Sequence, residues 1–286
     1  MNNLERRLIN DTARTYNTAT PGPTFKCMVY HDGYYTAVGS YGFAVMSGLR
    51  GEAQTYFQIK DDKTTETEIQ KFPGFDDIVN DKCPDPLWGI NFTHDKYFIT
   101  GNQGTLFVGE DITKISKFRR LRHPFPGHKL RGVAHGESKY IVVGDNGFIM
   151  YSKDEMKTWK EAMSKTVEDL HDVIHSMKYF VAVGEKGTIV VSTDGVNWDK
   201  PDVPYKGKLH GILYFRMYPP KKPSYDLYLA LTDTYYILSS NDAYDWKINT
   251  NKAYDNYYDF IHANGLNIPI GYPGFITTYS IGAQHP

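Results

Sequence analysis

The sequence predicts an all-β fold: a six-bladed β-propeller of four-stranded antiparallel blades, closed by an N-terminal strand. Three observations lead there. Tyr, Val, Ile and Phe, which favour strands, are abundant, with 15% aromatic residues and 23 Tyr. An internal unit recurs along the chain at about the 40-residue period of repeat folds. Each copy carries hairpin punctuation, a short Gly-ending turn between β-branched runs.

The copies align on a small residue that follows an apolar run: Gly39, Gly101, Gly144, Gly184, Thr232 and Gly271. Within each copy a first strand such as LRGVAH leads through a turn to a second, KYIVVG. A tight turn (SYG, NQG, DNG, EKG or YPG) then opens a third strand such as GFIMYS or GTIVVS. Only Gly and Asn accept positive φ cheaply, which explains that turn chemistry. The nearly continuous apolar runs, YFVAVG for example, fit sheets covered on both faces. KTVEDLHDVIHSM (165–177) could form a helix by itself, but its second half aligns with the first strands of the other copies.

A corner follows the third strand. It reads Ser152-x-Asp154 with Trp159, Ser192-x-Asp194 with Trp198, and Ser240-x-Asp242 with Trp246. Ser and Asp side chains hydrogen-bond the backbone of a tight turn, and the Trp is expected to pack between blades. These corners resemble the Asp-box, or BNR repeat, of sialidase-type and photosystem II assembly-factor-type propellers. Met156 stands where that motif usually has Gly, and Gly109-x-Asp111 is a degenerate copy. The resemblance spans most of residues 25–280. It implies the fold and a fastening role for the corners, not an activity.

The division expected is an N-terminal arm and ring-closing strand at 1–24, followed by the propeller at 25–286. The last copy ends at Ser280 without an outer strand, and the arm is placed to supply it. Two intervals between anchors are long. Residues 48–86 form an insertion, and FRMYPPKKPSYD (215–226) is a Pro/Lys loop within a hairpin. Both are candidate partner contacts, because repeat folds accept insertions on exposed loops.

Net charge is −1, with no basic excess of the kind that nucleic-acid binders carry. The one basic run, KFRRLRH (117–123), reads as an exposed edge strand. Two cysteines, Cys27 and Cys83, make neither a disulfide framework nor a zinc motif. No apolar stretch reaches membrane-spanning length, so no membrane insertion is expected. Neither a metal nor a cofactor is expected.

Propellers place ligands at the mouth of the central channel. One residue per copy falls there: Lys26, Trp88, Arg131, His171, His210 and Tyr258. Cations, imidazoles and aromatics in a ring suit a polar or anionic ligand; the bland alternative is that some of them turn between blades and pack. A second repeated position, Tyr30, Phe92, His135, His175, Tyr214 and His262, holds a flat ring in every copy and points to packing. No catalytic residues emerge. The sialidase resemblance would need three clamping arginines, and no such triad is formed by Arg131, Arg216 and the rest. Phosphate-loop, nucleophile-elbow and zinc-protease motifs are missing.

The expectation is therefore a non-enzymatic structural or adhesive module that binds other subunits of an assembly, a phage virion assembled in the host cytoplasm. The alternatives are a cytoplasmic assembly or scaffold factor and a glycan-binding or glycan-active protein. The Tyr- and Asn-rich stretch NKAYDNYYDFIHANG (251–265) adds a host-surface glycan as a further partner.

Overall fold

A computed structural model describes five strands between Phe25 and Thr67, residues 87–112, 118–219, 222–234 and 236–249, and two strands between Tyr257 and Gly271. The expected ring-closing arm at 1–24, Cys83 and the end of the chain beyond Gly271 lie outside the described residues. Among those described there is no α-helix. They form six antiparallel meanders.

The first sheet joins β1 (Phe25–His31), β2 (Tyr34–Gly39), β3 (Phe43–Gly48), β4 (Thr55–Lys60) and β5 (Lys63–Thr67) in sequence order. The second joins β6 (Leu87–Thr93), β7 (Lys96–Gly101), β8 (Leu106–Gly109) and β9 (Arg119–Arg120). The third joins β10 (Leu130–Gly136), β11 (Lys139–Gly144), β12 (Ile149–Ser152) and β13 (Lys160–Ala162). The fourth has β14 (Leu170–His175), β15 (Phe180–Gly184) and β16 (Ile189–Ser192). The fifth joins β17 (Leu209–Met217), β18 (Tyr225–Thr232), β19 (Ile237–Ser240) and β20 (Lys247–Asn249). The sixth shows β21 (Tyr257–Ala263) and β22 (Leu266–Gly271).

The strand count departs from a uniform four. The 48–86 segment supplies the fourth strand of its sheet and a fifth, β5. The fourth sheet stops at three. Its outer strand is reduced to a bridge in which Val191 and Asp199 exchange backbone hydrogen bonds of 2.7 and 2.8 Å. Pro201, two residues on, has no N–H to continue the ladder. The ambiguous 165–177 segment is strand over Leu170–His175. The basic run forms the exposed edge strand β9 between buried Phe118 and Leu121.

Among the described residues, each interface from the first sheet to the fifth is an apolar core. Val142 faces the second sheet, with Phe98, Leu106 and Val108. Its neighbours Ile141 and Val143 face the fourth, with Phe180, Ala182 and Val190. Alternation at period two with both faces covered produces the continuous apolar runs. Trp159 lies in the core between sheets two and three, Trp198 between three and four, and Trp246 between four and five.

First strands are neighbours in turn: β1 with β6, β6 with β10, β10 with β14, β14 with β17, β17 with β21, and β21 with β1. Polar groups stitch them. Asn91 Oδ1 accepts from Val133 N at 3.1 Å, and Asp172 Oδ2 from Ile212 N at 3.0 Å. Thr100 Oγ1 donates to Arg131 O at 2.6 Å. The approach at Gly89 leaves no room for a Cβ, which would collide with Arg131 O.

Candidate functional site

Six backbones share one irregularity. In each first hairpin the anchor pairs with the opening residue of the first strand, Leu130 with Gly144 for example, and the register then slips by one residue. The skipped residues are Lys26, Trp88, Arg131, His171, His210 and Tyr258. A β-bulge removes its residue from the alternating ladder and re-aims the side chain. The six ring positions expected from sequence are thus six bulges at corresponding ends of six sheets. The side chains of Lys26 and Tyr258 are outside the description; those of the other four form a connected arc.

Trp88 Nε1 donates to Asn102 Oδ1 at 2.7 Å. Over its ring lie Lys129 Nζ, 4.7 Å from the centroid, and the Arg131 guanidinium, 4.9 Å. Arg131 Nη2 donates to Asp169 Oδ2 at 3.1 Å. The Arg131 side chain is only 10% exposed, and its Nε–H is buried with no acceptor. His171 Nε2 and Glu185 Oε1 are 2.9 Å apart, and Lys208 Nζ reaches the same oxygen at 3.1 Å. The His171 and His210 rings lie 6.4 Å apart.

Burial, reinforced by Arg131, Lys208 and His210, holds His171 well below its ordinary pKa. Burial and then Lys208 bring His210 down to about 4. Both imidazoles are neutral at pH 7. Burial also lowers Arg131, against the pull of Asp169 and Asp145. Burial alone would raise Asp169; the Asn146 N–H and the Arg131 and Lys129 charges outweigh it and lower its pKa. The arc therefore holds fixed cations, fixed anions and neutral imidazoles, a polar surface suited to an oriented polar ligand.

The counter-groups were missed at the sequence level, although a signal exists. The residue after the anchor is Asn102, Asp145, Glu185 or Asp233 in four successive copies, an acceptor each time. Asn102 and Glu185 bond the bulge side chains of their own sheets. Asp145 Oδ1 accepts from Lys129 N at 2.9 Å. Tight turns hold these acceptors in place. Gln103-Gly104, Asn146-Gly147 and Lys186-Gly187 all have two successive positive φ angles, the requirement of a type I′ hairpin.

The corner residues are dispersed to the outer parts of the cores and make internal bonds. Ser152, Ser192 and Ser240 Oγ each donate to the Asp two residues on, at 2.8, 3.0 and 3.0 Å. Asp194 Oδ1 accepts from Val196 N and Asn197 N, and Asp242 Oδ1 from Tyr244 N and Asp245 N. Trp198 Nε1 donates to Gly195 O at 3.3 Å and Trp246 Nε1 to Ala243 O at 2.8 Å. Trp159, one residue further from its Asp, leaves Nε1 buried without an acceptor. Gly195, Ala243 and Met156 occupy the same positive-φ site in the three corners.

The second repeated position packs on a ring of its own sheet, and His135 also stacks on His94 of the second sheet at 3.9 Å. Phe92, His135, His175 and Tyr214 lie against their cross-strand partners Tyr97, Tyr140, Phe180 and Tyr228 at 4.6, 4.5, 4.4 and 5.2 Å. Among the described residues no group of three His, Cys, Asp or Glu is arranged to hold a metal ion. A cavity of about 360 Å³, lined by Lys96, Val108, Glu110, Asp111, Phe118 and Arg119, lies beside the outer strands of the second sheet, away from the arc.

No family model and no curated protein matches this chain. Solved structures do. YCF48 bound to D1 peptide is similar with a TM-score of 0.58 at 14% identity, over 94% of this chain and 81% of that one. YCF48 from Cyanidioschyzon merolae is similar with a TM-score of 0.56 at 12% identity, over 90% of this chain and 83% of that one. The RRP9 WD40 repeats give 0.58 at 7% identity, over 90% and 75%. At these identities the likeness shows the fold: the chain is an all-β protein of the β-propeller class.

Proposed function

We propose that this chain is a non-enzymatic, protein-binding propeller of six blades, whose bulge ring receives a polar peptide segment of a partner. The observation that carries the reading is the bulge. At six corresponding places one residue drops out of the ladder register, and the four described side chains converge in one arc. Two further points support it. One structural neighbour is YCF48 with a D1 peptide bound. The first strands neighbour one another in a full cycle, β21 against β1, which supports six blades around an axis. On this reading residues 1–24 supply the last outer strand, and the corners with Trp159, Trp198 and Trp246 are fasteners. A place in a virion, a cytoplasmic location and a glycan partner rest on the sequence alone.

The test is fluorescence anisotropy with labelled decapeptides in which Asp and Glu are matched by Asn and Gln. The carboxylate peptides should bind at least tenfold more tightly, and Arg131→Gln should abolish the difference. Equal binding of all peptides, or turnover of a glycan substrate, would overturn the reading.

A further inference from the structure

The ends of the sheets opposite the bulges are level to within one rung, the fourth sheet stopping one short at His175–Phe180, except at one place. Counting rungs from the anchor pair, the first hairpins of sheets two and three end at Thr93–Lys96 and Gly136–Lys139. Phe215–Leu227 is the matching rung of sheet five, and there the ladder continues through Arg216–Asp226 and Met217–Tyr225. Two extra rungs carry the tip about 7 Å beyond its neighbours.

The projection is braced. Asp226 Oδ1 accepts from Arg216 Nη1 at 2.7 Å and from Tyr214 OH at 2.8 Å. Arg216 Nη2 donates to Ser224 Oγ at 3.0 Å, and Asn241 Nδ2 to Asp226 O at 2.6 Å. At the base, Tyr228 OH donates to Ser176 Oγ of the adjacent sheet at 2.9 Å. A braced strand pair loses little freedom on binding.

Its surface is apolar and basic. Tyr218 is 77% exposed and Tyr225 42%; Met177, in the neighbouring turn, is 72% exposed. Lys178 and Lys222 are exposed beside them. The acid of the hairpin, Asp226, is neutralised by Arg216. Clustered exposed apolar side chains mark interaction sites. The uncancelled charge is positive, and the tyrosine hydroxyls take acceptors.

We propose that the tip of the β17–β18 hairpin, with the Met177–Lys178 turn, docks an acidic segment of a partner protein whose carboxylates alternate with apolar side chains. It is a second surface, independent of the bulge arc and at the opposite end of the sheets.

The test pans a random displayed 12-residue peptide library against the full chain, against the double variant Tyr218→Ser/Lys222→Glu, and against Arg131→Gln. The melting temperatures of all three are compared first. The proposal expects an acidic, apolar peptide class whose retention falls at least tenfold on the hairpin variant and stays within twofold on Arg131→Gln. Acidic peptides lost on Arg131→Gln, with no class lost on the hairpin variant, support the bulge site and overturn this one. Retention of every acidic peptide by the hairpin variant overturns it too, as does hairpin-dependent binding of phosphatidylserine vesicles or single-stranded DNA with no acidic peptide class. If the double variant does not fold, Lys222→Glu alone carries the comparison.

Discussion

At one end of the second to fifth sheets the repeated bulge holds Trp88, Arg131, His171 or His210; at the other, Phe92, His135, His175 or Tyr214 lies on a cross-strand ring. Shape and charge vary at the first end, whereas the second keeps a flat ring throughout. Geometry explains the difference. A side chain on the regular ladder must fit the ring opposite, so shape is constrained while ring type is free. A bulged residue has no rung opposite it, so neighbouring charges and turn acceptors rather than a facing ring set what is allowed. Rings pack where the sheet is regular, and charged and polar groups collect where it is not.

That contrast can be broken most forcefully at the packed end. Phe180 is fully buried against His175 and Trp198. Phe180→Ala should cost about 4 kcal/mol in urea unfolding, from lost transfer energy and the cavity left behind. A loss below about 1 kcal/mol would mean that the ring pairs are incidental.

Acid should come next. His210 has a folded pKa of about 4 against about 6.5 unfolded, so the unfolded chain binds more protons below pH 6.5. Stability is therefore lost as pH falls through 6.5 towards 4, by about 2 kcal/mol from His210 alone at pH 5. His171, lowered in the same direction, adds to the loss. His210→Gln should flatten the dependence by its share in melting curves at pH 7 and pH 5; an unchanged slope would place the proton elsewhere.

The corners sharpen the comparison at a smaller scale. Ser240 Oγ bonds Asp242 at its carboxylate and at its N–H. Ser240→Ala should cost about 1 kcal/mol and leave peptide binding unchanged. The smallest effect on stability is expected from Arg131→Gln, within about 1 kcal/mol because burial already disfavours the Arg131 charge and a Gln amide can still donate to the partly exposed Asp169, with a large effect on binding.

Much of this was legible before any coordinates. The anchors reveal themselves because Gly104, Gly147 and Gly187, three residues after Gly101, Gly144 and Gly184, need positive φ. The ring positions follow from counting back to the first strand of each copy. What was not legible depends on single residues that override the repeat. Pro201 truncates the outer strand of the fourth sheet, although the corner before it matches the others. Lys63–Thr67 carries no apolar alternation, yet pairs with β4 as a fifth strand. The ring partners Tyr97, Tyr140, Phe180 and Tyr228 stand in sequence as ordinary strand aromatics; only the hairpin register brings each opposite its mate. Asp169 stands at a repeated position that Lys129 and Lys208 hold in the adjacent copies, so its carboxylate breaks the pattern, and it meets Arg131 across a sheet boundary.

The central claim is that the bulged end recognises and the ring-paired end fastens. It is tested most directly by measuring the melting midpoint and the carboxylate-peptide dissociation constant on the same three variants. Arg131→Gln and His210→Gln should weaken binding tenfold or more and move the midpoint at pH 7 by less than about 3 °C. Phe180→Ala should lower the midpoint by about 10 °C and, below it, bind as the native chain does. Weakened binding in Phe180→Ala with full binding in Arg131→Gln would contradict the account.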